Sequence, residues 1–377
     1  MKVIIAPDSF KGSITAVHAA NALARGIKAA APSADVGQLP IGDGGEGTLD
    51  AIAMAMPTLQ MRSARVTGPC ATPVEARWGW LAHHENRPTA IAIVELAQAA
   101  GFMHVPDDRR NPMQTTTYGV GELIMHASAA GAEEIIVTVG GSATVDGGSG
   151  ALQAMRWQFL DSQAAIMPVP MTGGNLHSVA SIEQLRSQHQ LPKLRVACDV
   201  RNPLCGPRGA ARVYGPQKGA TPEQVEALEQ ALAHFASLAP DATLAQQPGT
   251  GAAGGTPFGL AAFAGATLER GIDLVLELIG FTHAIEDADL IITGEGRLDM
   301  QTLEGKAMLG VAAYAERAGV PVIAIVGAAE ADAVRAFPHA IAEIVVLKDR
   351  FGLERSMQET DACLCDAARD VAERVLS

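Results

Sequence analysis

No apolar run in this chain reaches the about 18 residues a membrane helix needs; VPVIAIVGAA from Val320 is among the longest. The N-terminal apolar run turns at Pro7, too short for a secretory signal followed by a cleavage site. Positive charge is scarce: 28 Lys and Arg against 41 Asp and Glu give a net charge of −13, which argues against non-specific binding to nucleic acid or anionic membrane. Aromatic residues make up only 4%, leaving few platforms on which bases could stack. The five cysteines (70, 198, 205, 363 and 365) are odd in number and show no paired CxxC spacing, so neither a zinc clip nor a disulfide frame is indicated. Cys363 and Cys365 fall in a helix-like segment and read as buried thiols. The expectation is a cytoplasmic protein in a reducing compartment. GxxxxGK[ST], GxSxG and HExxH are all missing, and the ten histidines are dispersed, with His83 and His84 in an expected surface loop. A P-loop NTPase is excluded, and a histidine-based metal site or triad has little support.

What is present is a 377-residue chain, 48% hydrophobic and 18% charged, enough for about two domains with a sizeable core. Strand-like runs at Lys2–Ala6, Ala34–Pro40, Asp289–Thr293, Pro321–Val326 and Glu343–Leu347 alternate with helix-like runs at Ile14–Ala30, Thr48–Met56, Leu303–Ala318 and Glu359–Leu376. That alternation predicts an α/β fold with a doubly wound parallel sheet. The middle differs. Short alternating runs between Ser63 and Leu96 predict antiparallel strands, followed by strands at Glu134–Val139 and Leu194–Val200 and helices near Val120–Ala130 and Pro222–Ala236. The Gly/Pro/Thr-rich stretch Gln246–Gly259 predicts a hinge or an ordered loop. The two chain ends (1–65 plus 270–377) are therefore expected to form one domain, with 66–269 inserted as a second α/β domain of mixed sheet.

Glycine-rich polar loops follow several of these strands, where parallel sheets hold ligands. GDGGEG at Gly42–Gly47 fits GxGxxG, but the acid a nicotinamide ribose wants about 20 residues on is replaced by Met61–Arg65, whose Arg62 and Arg65 suit a 2′-phosphate instead. Asp43 and Glu46 suit Mg²⁺, or cap the next helix. At Gly140–Gly150, backbone N–H groups and the hydroxyls of Ser142, Thr144 and Ser149 suit a phosphate cradle, with a tight packing turn as the alternative. At Cys198–Gly209, Asp199 ends a strand beside Arg201, Asn202 and Arg208. A carboxylate there could take a proton from a hydroxyl while a guanidinium clamps a substrate carboxylate, and a structural Asp–Arg pair competes. Lys218 could add positive charge to that region. At Thr293–Asp299, Glu295 and Asp299 are candidate metal ligands, with Arg297 and Lys306 as phosphate ligands, although Asp299 could simply cap a helix. Asp8–Gly12 adds Asp8, Ser9 and Lys11. Many Gly-rich turns, several acids and few bases are the equipment of positioning and electrostatic catalysis, which suits phosphoryl transfer with Mg²⁺.

Six ordered blocks carry a resemblance. They are APDSFKGS from Ala6, PIGDGGEGT from Pro40, GGSATVDGG from Gly140, CDVRNPLCG from Cys198, GGTPFG from Gly254 and TGEGRLD from Thr293, the last running on to Gln301, Thr302, Gly305 and Lys306. Over almost the whole chain the sequence resembles the bacterial glycerate kinases that form 2-phosphoglycerate. It departs at Met308, where the family often has Pro, which bears on a local helix start. The resemblance implies a Rossmann-like domain made from both chain ends, an inserted α/β domain, and transfer of the γ-phosphoryl of ATP, with Mg²⁺, to the 2-hydroxyl of D-glycerate. The expected site lies in the cleft between the domains. On chemical grounds Asp199 is expected to deprotonate the hydroxyl, with Lys11 or Arg201 neutralising the moving phosphoryl. Asp8, Ser9, Asn202 and Arg208 would touch substrate. Gly140, Gly141, Ser142, Thr144, Gly147, Gly148, Gly294, Gly296 and Lys306 would hold ATP, and Asp43, Glu46, Glu295 and Asp299 would hold Mg²⁺. An NADP-linked hydroxyacid oxidoreductase and a non-catalytic sugar-acid binder are the rival classes. The Ala-rich helices could pack against a second copy.

Overall fold

The computed structural model describes residues 1–42, 44–83, 88–185, 190–299, 307–336 and 341–376. The chain divides into two compact units, Met1–Asp43 with Gly47–Thr58 and Gly271–Ser377, and Gly44–Glu46 with Leu59–Arg270. In chain order, the first unit opens with β1 (Lys2–Pro7) and β2 (Asp35–Gln38). The second contains β3 (Gln60–Thr67), β4 (Pro73–Leu81), β5 (Ile91–Glu95), β6 (Glu134–Thr138), β7 (Trp157–Leu160), β8 (Ser181–Gln184), β9 (Lys193–Ala197) and β10 (Thr267–Glu269). The chain then returns to the first with β11 (Leu290–Gly294), β12 (Arg297–Leu298), β13 (Val322–Val326), β14 (Ala328–Ala329) and β15 (Ile341–Val346).

The first sheet has the order β15–β13–β11–β1–β2 and is parallel throughout. Its central strands are runs of Val, Ile and Ala because both faces are covered. Val3, Ile5, Leu290, Ile292, Ile323 and Ile325 pack with Leu23 and Ile27 of the helix Ala16–Ala30 and with Leu364, Ala368 and Val371 of the closing helix Thr360–Val375. The alternate residues Ala324 and Val326 join Leu298 and Met308 in another cluster. Met308 therefore sits inside the helix Ala307–Ala318 as a core residue. The two long helices cross closely at Gly26, where an added Cβ would lie 2.2 Å from the Cys365 carbonyl oxygen. Thr15 starts the first of these helices, its hydroxyl accepting from the His18 N–H at 3.2 Å, so the helix begins two residues later than its periodicity predicts. From β1 the chain winds to β2, and from β11 the opposite way to β13 and β15. The point where the winding reverses therefore lies between β1 and β11.

The second sheet is mixed, with the order β10–β9–β6–β5–β4–β3. β3, β4 and β5 run antiparallel, while β5, β6, β9 and β10 run parallel. Val66, Trp78, Val94, Val137 and Val196 bury against Leu123, Leu152, Phe235 and Phe258. Arg62 lies over the Trp78 and Trp80 rings at 5.3 and 4.5 Å, a cation–π use that takes up the guanidinium the oxidoreductase reading assigned to a 2′-phosphate. The stretch 246–259 is an ordered segment rather than a hinge: Thr250 and Ala252–Phe258 are buried, and it continues into the helix Thr256–Ala264. The antiparallel pair β7–β8 and the short helices Ala331–Ala336, Leu347–Phe351 and Leu353–Gln358 carry too few residues to register as periodicity. Among the described residues, no helix is long and apolar enough to cross a membrane.

Candidate active site

In the first unit the polar residues gather at the carboxyl ends of β1 and β11. Pro7 pairs with Gly294, so Asp8 and Glu295 follow at neighbouring strand ends, 7% and 6% exposed. The Asp8 N–H donates to the Gly294 carbonyl at 2.8 Å, and the Asp8 Oδ1 accepts from the Ser9 N–H at 2.6 Å. Gly294 is required by contact, since a Cβ there would lie 2.0 Å from the Ile325 carbonyl oxygen. At Gly296 a Cβ would come 3.1 Å from the Lys11 nitrogen, so this turn runs alongside Phe10–Lys11. Lys11 itself is exposed, in the turn before Gly12, whose φ is +80°. Arg297 is exposed and bonds Glu330 at 2.5 Å, with Asp299 4.0 Å away. Asp43, Lys306 and the stretch Gln301–Gly305 lie outside the described residues.

The second unit treats its glycine loop in another way. Residues 142–150 are buried, and most of their N–H groups are spent internally. The Gly140 N–H donates to the Gly44 carbonyl (3.0 Å), Ala143 to Ala100 (2.9 Å) and Gly147 to Gly254 (2.9 Å). Asp146 folds back to accept from Gly148 N–H (3.1 Å), Gly150 N–H (3.4 Å), and both the N–H and hydroxyl of Thr117 (2.8 Å each). Burial raises the Asp146 carboxyl above its ordinary value, and these donors oppose the rise. Gly140, Gly147, Gly148 and Thr144, expected to face phosphate, are here engaged within the protein. The N–H groups of the three glycines are already bonded, and Thr144 has no exposed surface. Ser142 is bonded from below by Lys218, whose Nζ donates to the Ser142 hydroxyl and the Thr144 carbonyl at 2.7 Å each. Lys218 thus belongs to the Gly140 loop, not to the Asp199 loop as its place in the sequence suggested. Desolvation lowers its ammonium to about 7, with Asp146 pulling the other way.

Only the outer edge of this loop, Gly140 and Gly141, reaches partial exposure. There the Gly44–Glu46 segment crosses it: a Cβ on Gly140 would meet the Gly45 Cα at 2.3 Å, and one on Gly141 would meet the Glu46 side chain at 3.3 Å. The same segment touches the end of β9, where a Cβ on Gly44 would lie 3.0 Å from the Ala197 carbonyl oxygen. Two of the glycine blocks and the strand that leads to Asp199 are thus brought together within this unit.

Asp199 is half-buried, two residues beyond β9. Arg201 and Arg208 are exposed. Asn202 is committed at both ends of its amide: its Nδ2 donates to the Arg208 carbonyl and its Oδ1 accepts from the Tyr214 hydroxyl, at 2.7 Å each. These two bonds tie the loop that carries Asp199, Arg201 and Arg208. Burial pushes the neighbouring thiols of Cys198 and Cys205 up to about 12, so neither is a nucleophile. Sequence reasoning missed Glu95, wholly buried at the carboxyl end of β5, although a carboxylate closing the apolar run IAIVE was a visible signal.

Among the described residues no three His, Cys, Asp or Glu side chains converge as a metal cluster. Mg²⁺ asks for less, since it keeps several waters and takes one or two carboxylates beside substrate phosphates. A carboxylate such as Glu295, buried just beyond the end of β11, fits that donor set.

Comparison with known proteins gives one answer. Residues 3–376 match the model of the glycerate kinase family. A glycerate kinase of Bacillus subtilis (strain 168) is 44% identical, the match covering 100% of this chain and 98% of that protein. Glycerate 2-kinase of Escherichia coli (strain K12) is 38% identical over 99% of this chain and 97% of that protein. A crystal structure described as glycerate kinase 2 from Salmonella typhimurium LT2 superposes with a TM-score of 0.82 at 39% identity, covering 100% of this chain and 98% of that one.

Proposed function

Because this chain belongs to the glycerate kinase family and is a kinase acting on an alcohol group, we propose that it transfers the γ-phosphoryl of ATP to the 2-hydroxyl of D-glycerate, releasing 2-phospho-D-glycerate and ADP. The observation that carries position 2 is the full-length likeness to the Escherichia coli protein named glycerate 2-kinase. The site supports the reading from below. Asp199, half-buried beyond a parallel strand, orients the hydroxyl and accepts its proton. Lys11, or else Arg201, is an exposed cation able to neutralise the moving phosphoryl, and the exposed Arg208 side chain, on the loop tied by the bond from Asn202 to its carbonyl, would touch substrate. Asp43, Glu46, Glu295 and Asp299 are the carboxylates that would hold Mg²⁺, whose chemistry is to neutralise charge on the phosphates, and Asp8 and Ser9 would touch substrate. The Gly294–Gly296 turn and Lys306 retain the assignment to ATP. We place the enzyme in the cytoplasm, its product passing from sugar-acid and glyoxylate breakdown into glycolysis.

The test is ADP release with D-glycerate, with and without EDTA, on the wild type and on Asp199→Asn. Wild-type turnover should need Mg²⁺, and the variant should lose about 10²- to 10⁴-fold in kcat. Turnover unchanged in Asp199→Asn would move the base elsewhere, and no ADP release from folded wild type would defeat the reading.

A further inference from the structure

Among the described residues Lys218 is the only lysine or arginine that is buried, at 3% exposure. Taking an ammonium out of water costs several kcal/mol unless its surroundings return the energy, and a methionine would fill the same space without that cost. The position of the charge is fixed by the backbone around it. Lys218 closes the helical turn Pro216–Lys218, and Gly219 follows with φ +90°, so close to Arg110 that a Cβ would lie 2.3 Å from its carbonyl oxygen. From there Nζ bonds the Ser142 hydroxyl and the Thr144 carbonyl. Asp146 attracts the ammonium through space but has its oxygens taken by Thr117, Gly148 and Gly150. The two buried charges thus act as separate clamps on one loop, the lysine on its 142–144 side and the aspartate on its 146–150 side. Ser142 adjoins Gly140 and Gly141, the stretch that the Gly44–Glu46 segment crosses.

We infer that Lys218 is a positioning residue for phosphoryl transfer. Through Ser142 it holds Gly140–Ser142 where Gly44–Glu46 passes over the carboxyl end of β6, and so fixes the placement of Glu46 without touching substrate itself. This rests on the kinase reading above. A displacement of about 1 Å in a supporting segment can cost on the order of 100-fold in rate, which gives the lysine a kinetic signature distinct from its stability.

The experiment compares wild type, Lys218→Met, Ser142→Ala and the double variant by kcat, by KM for MgATP and D-glycerate, and by thermal midpoint. Lys218→Met should fold and lose about 100-fold in kcat with little change in either KM. Ser142→Ala should lose about 10-fold, the worth of one hydrogen bond. The double variant should be no slower than Lys218→Met, because both act through one contact. Wild-type kcat in Lys218→Met, or losses that multiply, would overturn the inference. Should Lys218→Met fail to fold, Ser142→Ala decides alone, and an unchanged kcat there overturns it. Should the wild type itself not phosphorylate D-glycerate, the kinase reading fails first. The clamp is then read from amide hydrogen exchange at Gly140–Ser142, which should quicken in Ser142→Ala; unchanged exchange would overturn it.

Discussion

Both sheets carry polar, glycine-rich loops at the carboxyl ends of parallel strands, yet the two sets spend their hydrogen bonds differently. In the first unit the glycines allow close backbone approach, and the acids Asp8 and Glu295 end neighbouring strands where the winding reverses. In the second, the longer loop turns inward: Asp146 and Lys218 occupy it from within, and most of residues 142–150 are core. A strand followed by GGSATVDGG therefore does not by itself make a phosphate cradle. What decides is whether the N–H groups are still free, since each buried donor must find one partner and has none to spare for a ligand afterwards.

The contrast can be broken or sharpened in three ways. The largest effect is expected from Asp146→Ala, which strands four donors in a dry interior. Loss of about 3–5 kcal/mol in urea unfolding is predicted, and a loss below about 1 kcal/mol would mean that the loop is not braced from inside. Next, Gly140→Ala should push Gly45 away, at about 1–3 kcal/mol for overpacking, with a drop in kcat/KM larger than the stability loss explains. Unchanged kinetics would show that the crossing of the two glycine segments is incidental. The third test is a pH dependence. Burial lowers Lys218 from 10.5 to about 7, so between about pH 7 and 10.5 the unfolded chain keeps a proton that the folded chain releases. Stability from this group therefore rises with pH through that window. The thermal midpoint of the wild type should gain on that of Lys218→Met from pH 7 to 9, and a constant difference would contradict the burial cost.

Much of this was legible in the residues. The parallel sheet announced itself because Val3–Ala6, Leu290–Ile292 and Val322–Val326 are buried on both faces and read as continuous apolar runs. The antiparallel edge showed in the alternation of β4. The strand-end acids Asp8, Asp199 and Glu295 also stood out, because a carboxylate after an apolar run is costly to place without reason. The inward turn of the Gly140 loop was not legible. Its cause is a hydrogen-bond count that depends on Thr117, 29 residues upstream, and on Lys218, 76 residues downstream of Ser142. Likewise the bonds by which Asn202 ties its loop to the Tyr214 hydroxyl and the Arg208 carbonyl could not be read from its place in the sequence. Spacing along the chain shows which groups could act; partners distant in sequence decide which remain available.

The measurement that tests the central claim most directly is ³¹P NMR of the product formed from ATP, Mg²⁺ and D-glycerate. The account predicts the resonance of 2-phosphoglycerate, absent when EDTA is present. A 3-phosphoglycerate resonance, or no phosphorylated glycerate from folded protein, would contradict it.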